Sequence, residues 1–303
     1  MRLDGIHHVT CITADAPRNV EFYTGVLGLR LVKKSVNQDD PTVYHLFYAD
    51  ERGDAGSDIT FFEYPGAGPG SAGAGMVHTV VWRVGSADAL QFWADRLSAA
   101  GHEVEPDGER LRFSNPEGLM HELVVSHVED EPLVAHHPEI PRELALQGFE
   151  GVRAYGQTDA AFMTALEFEQ RDAAWETRGD SRVGWIEYER APEGRGFGGA
   201  GTVHHVAWAS TMDEHEAWRQ RVHEAGGQPT PVIDRFWFRS IYFREPSGVL
   251  FEIATLGPGF ATDEDPEHLG EKLILPPAFE HLRTQVEPLL TPLPDPRASW
   301  TTR

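Results

Sequence analysis

The chain has 303 residues, 40% of them hydrophobic, and a formal net charge of −22 at pH 7, which fits a folded protein of one large domain or two ordinary ones. So acidic a surface repels nucleic acid and anionic lipid, both of which need a basic patch. Cys11 is the only cysteine, which excludes disulfides within the chain and thiolate metal sites; no apolar run reaches membrane-spanning length, and the lack of a basic-then-apolar leader makes the cytoplasm the expected compartment.

In chain order, residues 4–11 alternate apolar and polar and predict a strand. Asp15 offers an N-cap and Pro17 suits a first helical turn. Val20, Phe22, Tyr23, Val26 and Leu27 have helical spacing, closed by Gly25 and Gly28. Strands follow at 29–33, 43–48 and 59–64, then a Pro/Gly/Ala/Ser loop over 65–75. The order then restarts: a strand at 76–84, a helix at 87–100, and strands near Glu103, at 110–114 and at 119–125. A weaker copy has a strand at 151–155, a helix at 159–167 and strands at 173–177 and 183–189. The last copy has a strand at 203–208, a helix at 213–225 and strands at 231–233, 240–244 and 249–254.

Self-similarity at this period means a repeated unit. One βαβββ unit leaves a sheet face bare, and two packed side by side form a curved sheet with a cup inside. The expected fold is therefore α+β, with four modules making two open, cup-shaped mixed sheets. Modules one and two occupy 1–126, a Glu/His/Pro-rich linker 127–147, modules three and four 148–256, and a C-terminal tail 257–303. A short helix is expected at 279–288. His136-His137 in the linker reads as an exposed pair without a role, and Cys11 as buried and inert.

The chemistry concentrates in Gly5-Ile6-His7-His8-Val9-Thr10 and Val203-His204-His205-Val206, with a strand ending in Glu252. Adjacent side chains on a strand point to opposite faces, so one histidine of each pair would meet a given ion. A lone strand histidine is more often a hydrogen-bonded, half-buried residue. Recurrence of the pair at one place in two copies shifts the balance toward metal. Glu252, if buried, needs a partner, because an unpaired buried carboxylate is costly. Two His and one carboxylate form the facial triad of non-haem Fe(II) oxygenases, which leaves coordination positions open.

The repeat, with Glu21-Phe22-Tyr23-Thr24-Gly25-Val26-Leu27-Gly28-Leu29, resembles the vicinal oxygen chelate (glyoxalase/extradiol dioxygenase) superfamily over about residues 4–255. The two His-His-Val segments and Gly270-Glu271-Lys272-Leu273-Ile274-Leu275-Pro276-Pro277 are similar to the four-module ring-cleaving dioxygenases that act on hydroquinones. The resemblance implies His8, His205 and Glu252 as ligands of Fe(II), with Mn(II) as second choice. It also implies His7, Thr10, His204, Arg235 and Tyr242 as neighbours of metal or substrate. Modules one and four would share the metal cup, and the partners would be a small aromatic substrate and O2. Homo-oligomerisation is left open.

In the second copy Thr79 replaces the ligand histidine while His78 and Glu122 persist, so that cup is expected to lack metal, with an arginine as one partner for Glu122. In the third copy Arg153 or Ala154 stands at the ligand position. Either Phe62 or Glu63 faces the metal cup, with Phe62 preferred; an inward Glu63 would make a fourth ligand, as in a glyoxalase. Arg235 is expected to open an aromatic strand over 235–239. The competing functions are catechol cleavage, a glyoxalase-type isomerase or lyase, and an aromatic-drug-binding resistance protein.

Overall fold

The computed structural model describes residues 1–293, 295–298 and 300. The first unit is β1 (Ile6–Thr13), α1 (Ala16–Val20), a π-helical turn (Glu21–Val26), β2 (Arg30–Asn37), β3 (Asp40–Ala49) and β4 (Asp58–Glu63). The second is β5 (Met76–Val84), α2 (Ala87–Ala99), β6 (Val104–Asp107), β7 (Arg110–Ser114) and β8 (Met120–Val125). The third is β9 (Phe149–Tyr155), α3 (Ala160–Ala165), β10 (Glu169–Arg171), β11 (Ala174–Arg178) and β12 (Val183–Glu189). The fourth is β13 (Val203–Ser210), α4 (His215–Glu224), β14 (Ile233–Asp234), β15 (Arg239–Arg244) and β16 (Leu250–Thr255).

Local chemistry accounts for most boundaries. The Asp15 side chain accepts from Arg18 N and caps α1, and Ser86 caps α2 in the same way through Ala89 N. Gly25 lies inside the π-helical turn rather than closing it; Gly28, at φ +71°, is the residue that lets the chain turn away. β10 consists of exposed polar residues, which carry no strand signal of their own. Residues 277–289 form short helical turns, with α5 (Arg283–Val286) among them.

The strands make two eight-stranded mixed sheets. One has the order β14-β15-β16-β13-β1-β4-β3-β2, the other β10-β11-β12-β9-β5-β8-β7-β6. In each, two units join through their opening strands: β1 pairs antiparallel with β13, and β5 with β9. The helices cover the sheets with apolar stripes, and Trp93 and Leu97 of α2 and Trp218 and Val222 of α4 are fully buried. Each such side chain contributes about 1.5–3 kcal/mol of burial.

The outermost hairpins of the first sheet touch. Gln38 Nε2 donates to Arg235 O at 2.8 Å, and Arg235 pairs with Asp39 at 2.9 Å. Since these residues flank opposite ends of the strand order, the sheet must curl until its edges meet, enclosing a cup.

The segment between β8 and β9 is packed rather than loose. Asp130 pairs with Arg83 at 2.7 Å with both side chains 2% exposed, and Leu133, Val134 and Ala135 are buried. His136 is exposed, but His137 is buried against Gly28 and Trp300, which corrects the reading of an exposed pair. The reason is apolar packing around Ile140, which the polar composition of this segment hides.

The tail is strapped to β2. Lys33 is fully buried and its Nζ reaches Phe260 O, Asp263 and Glu264, while Arg30 holds the carbonyls of Pro266 and Glu267. Among the described residues no helix is long and apolar enough to cross a membrane.

Candidate metal centre and its cup

His8 on β1, His205 on β13 and Glu252 on β16 converge inside the first cup. The two Nε2 atoms are 3.2 Å apart, and Glu252 Oε2 is 3.2 Å from His8 Nε2 and 2.8 Å from His205 Nε2. All three side chains are at most 4% exposed. Neither Glu252 oxygen has an assigned hydrogen-bond donor, although Oε2 lies within ion-pair distance of both imidazoles. Orphaned oxygens at this depth are costly unless a cation joins them.

The spacing fits such a cation. Ligand atoms about 2.1 Å from a metal, at right angles to one another, stand about 3.0 Å apart. The three observed separations bracket that value. The electrostatics agree: although burial pushes Glu252 up, the two imidazoles outweigh it and hold the carboxyl well below its ordinary range. His205 is lowered by burial, against the opposing pull of Glu252.

Each histidine of the triad is oriented by the histidine before it. His7 Nε2 lies 3.1 Å from Thr255 O, a carbonyl, so His7 carries its proton there. Burial lowers the pKa of His7 to about 3, so its Nδ1 is left as an acceptor. His8 Nδ1, 2.9 Å away, must then donate, and His8 Nε2 presents a lone pair to the triad. On β13, His204 is exposed, and its Nδ1 lies 2.8 Å from His205 Nδ1. The tautomer in which His204 accepts turns the His205 Nε2 lone pair inward in the same way.

Tyr242 is the cross-strand partner of Glu252, and its ring lies 5.6 Å from that of His205. Burial pushes its phenol well above the ordinary range, so it remains a donor. Arg235 Nε donates to its hydroxyl at 3.3 Å. Residues 235–238 form the turn between β14 and β15, not the expected strand, because Phe236 takes φ +74° and Arg235 N bonds Phe238 O. The turn brings Trp237 and Phe238 into the wall of the cup.

Phe62 faces the cup, and Glu63 faces away, accepting from Ala16 N at 3.0 Å and Thr291 Oγ1 at 3.3 Å. The corner that matches Glu252 in the first unit is Thr60. Thr10 pairs with Thr60 as Ala207 pairs with Glu252. The Thr60 hydroxyl donates to Thr10 and lies 2.9 Å from His45 Nε2.

Sequence reasoning missed Thr60, His45 and Asp58. Superposing the two halves strand by strand would have found Thr60. Asp58 is the cross-strand partner of His8, is 1% exposed, and has no hydrogen-bond partner for either oxygen. Burial raises it to about 8.

The second cup shows what replaces a metal. Glu122 occupies the place of Glu252, paired with Arg112 at 2.7 Å and Arg153 at 3.0 Å. Arg153 also reaches Glu187. The ligand position of the third unit is Gly151, not Arg153 or Ala154, because Val152 pairs with Val80 as Val206 pairs with Val9. Trp185 stands over Gly151, where any side chain would clash at 2.2 Å. A guanidinium and an indole thus fill this cup. Among the described residues, His8, His205 and Glu252 are the cluster suited to an ion.

Residues 5–123 and 148–253 match the family model described as the Glyoxalase/Bleomycin resistance protein/Dioxygenase superfamily. The chain is 40% identical to MhqO of Bacillus subtilis (strain 168), provisionally named a ring-cleaving dioxygenase, over 95% of this chain and 96% of that one. It is 31% identical to the chlorohydroquinone/hydroquinone 1,2-dioxygenase of Sphingobium indicum, over 97% of each. The crystal structure of a provisionally named dioxygenase from Bacillus subtilis superposes with a TM-score of 0.88 at 38% identity, covering 97% of this chain and 98% of that one. Glyoxalase I from Zea mays shares the fold at 16% identity, with a TM-score of 0.54 over 83% of this chain and 92% of that one.

Proposed function

This chain belongs to the Glyoxalase/Bleomycin resistance protein/Dioxygenase superfamily, has the vicinal oxygen chelate fold and is a ring-cleaving dioxygenase; on that premise we propose that it opens hydroquinone-type rings with O2, using Fe(II), or Mn(II) as second choice, held by His8, His205 and Glu252. The observation that carries this reading is the convergence of three acceptor atoms in one cluster, which among the described residues includes no fourth acid. Glu63, the candidate fourth ligand of a glyoxalase-type site, faces away, and a hydroxyl stands at Thr60 instead. A three-ligand site leaves adjacent positions for a phenolate and for O2. The metal, when bound, supplies Lewis acidity toward the phenol and a route for electrons from ring to oxygen.

The protein's share is placement and proton control. Phe47, Phe62, Trp237 and Phe238 wall the cup with aromatic faces suited to a ring. The Tyr242 hydroxyl, protonated at neutral pH, donates toward a substrate oxygen, and Arg235 holds it there. Asn37 and Gln38 also line the cup, and the Gln38 amide, once released from Arg235 O, is a donor for the second oxygen of a hydroquinone, para to the first. A catechol would instead bring both oxygens to the metal. The name of the Sphingobium relative supports the hydroquinone choice.

In this structure the cup encloses only about 30 Å³, room for a water or two. A ring therefore enters when the outer hairpins part. The contacts that must open are Gln38–Arg235 O and Arg235–Asp39, and with Asp39 73% exposed loss of that ion pair costs little.

The test is anaerobic Fe(II) loading followed by oxygen uptake with hydroquinone and catechol in parallel. Uptake with hydroquinone supports the reading, uptake with catechol alone replaces it with catechol cleavage, and uptake with neither in folded, iron-loaded protein overturns it.

A further inference from the structure

Behind the cup lies a second cavity of about 270 Å³. It is lined by His7, Trp237, Phe238, Leu256, Phe260 and residues 257–259, with residues 53–55, Asp54 among them, on the other side. Trp237 and Phe238 line both cavities, so the partition between them is two side chains thick at most. Phe238 is its inner leaf, with its ring 5.3 Å from the ring of His8 and 5.2 Å from that of His7. Leu256, 45% exposed, marks the outer rim.

We propose that this rear cavity is the access pocket for dioxygen and that Phe238 is the gate between it and the metal; the proposal rests on the dioxygenase reading above. A ring seated in a cup this small, beneath Asp39 and Arg235, would close the front route. O2 would then need a second way in. Trp237, Phe238, Leu256 and Phe260 give the rear cavity an apolar wall facing the cup, and apolar walls of this kind take up small apolar molecules such as xenon. The gate is buried and held by packing alone. Phe238 ends the turn begun by Arg235, next to Phe236 in its left-handed conformation, and it is held by ring contacts and not by side-chain hydrogen bonds. A swing of one ring admits a diatomic molecule, whereas an aromatic substrate would have to displace His7 and its bond to Thr255 O.

The test uses the full chain and two probes. Crystals pressurised with xenon are expected to show the gas in the rear cavity. In anaerobic, Fe(II)-loaded protein with an aromatic inhibitor bound, nitric oxide association is followed by stopped-flow absorbance. Leu256→Trp, which fills the rear cavity without touching the cup, is expected to slow that association several-fold and leave inhibitor affinity unchanged. Leu256→Ala is expected to leave it as fast or faster. Absence of xenon from the cavity, or unchanged nitric oxide association in Leu256→Trp, overturns the proposal. Neither probe depends on turnover. A protein that consumes no oxygen with either diphenol would sink the dioxygenase reading, while xenon occupancy and nitric oxide association would still decide whether gas travels by this route.

Discussion

The Nε2 atoms of His8 and His205, 197 positions apart in the chain, lie 3.2 Å from each other beside one carboxylate oxygen of Glu252. Each ring has its Nδ1 within hydrogen-bond distance of the neighbouring histidine, so both Nε2 atoms face the same point as Glu252 Oε2. Glu252→Gln removes the charge and keeps the shape. Bound metal is expected to fall to background by elemental analysis, with far-ultraviolet circular dichroism unchanged. Retention of metal would sink the ligand assignment.

At the proposed metal site, His7 and His204 would act on His8 and His205 through their tautomers. His7→Phe frees His8 to place its proton on either nitrogen. Metal affinity is expected to drop about 10–100-fold, measured by competition with a chromophoric chelator. A change confined to thermal stability, with affinity intact, would make His7 a packing residue only.

Asp58 is a buried acid with a pKa raised to about 8 by burial. Between the ordinary carboxyl value and that value the folded state holds a proton that the unfolded state has lost. Stability therefore falls as pH rises through this window and levels off above it. In metal-free protein, the urea midpoint is expected to fall between about pH 5 and about pH 8. Asp58→Asn is expected to flatten that slope and to be more stable than the parent at the upper end. An identical slope in the variant would show that Asp58 is ionised in the fold.

Glu122 is fully buried, and Arg153 bridges it to Glu187. Arg153→Leu leaves the carboxylate with Arg112 alone, which is 37% exposed. A loss of about 3–5 kcal/mol is expected, read from denaturant unfolding. Adding Glu122→Gln to that variant is expected to recover part of the loss. Full stability in the single variant would mean that the second cup does not need its guanidinium.

The repeat and the paired histidines were legible because they are local. A period of two makes a strand, caps and glycines end helices, and both appear in any window of a dozen residues. That Glu122 would pair with an arginine also followed, since a buried acid without metal needs a cation. Three things were settled only by the folded chain. The first is which strand edges join, as β1 joins β13, because pairing across the chain leaves no mark in either segment. The second is register. Alternation says that Phe62 and Glu63 face opposite ways but not which faces in, and a one-residue slip exchanges them; for the same reason Gly151 and Thr60 came to light as the matching corners only through their partners. The third is the turn at Phe236, where the hairpin imposes a left-handed backbone that no aromatic residue favours by itself, and so carries Trp237 and Phe238 to the metal cup and its rear cavity.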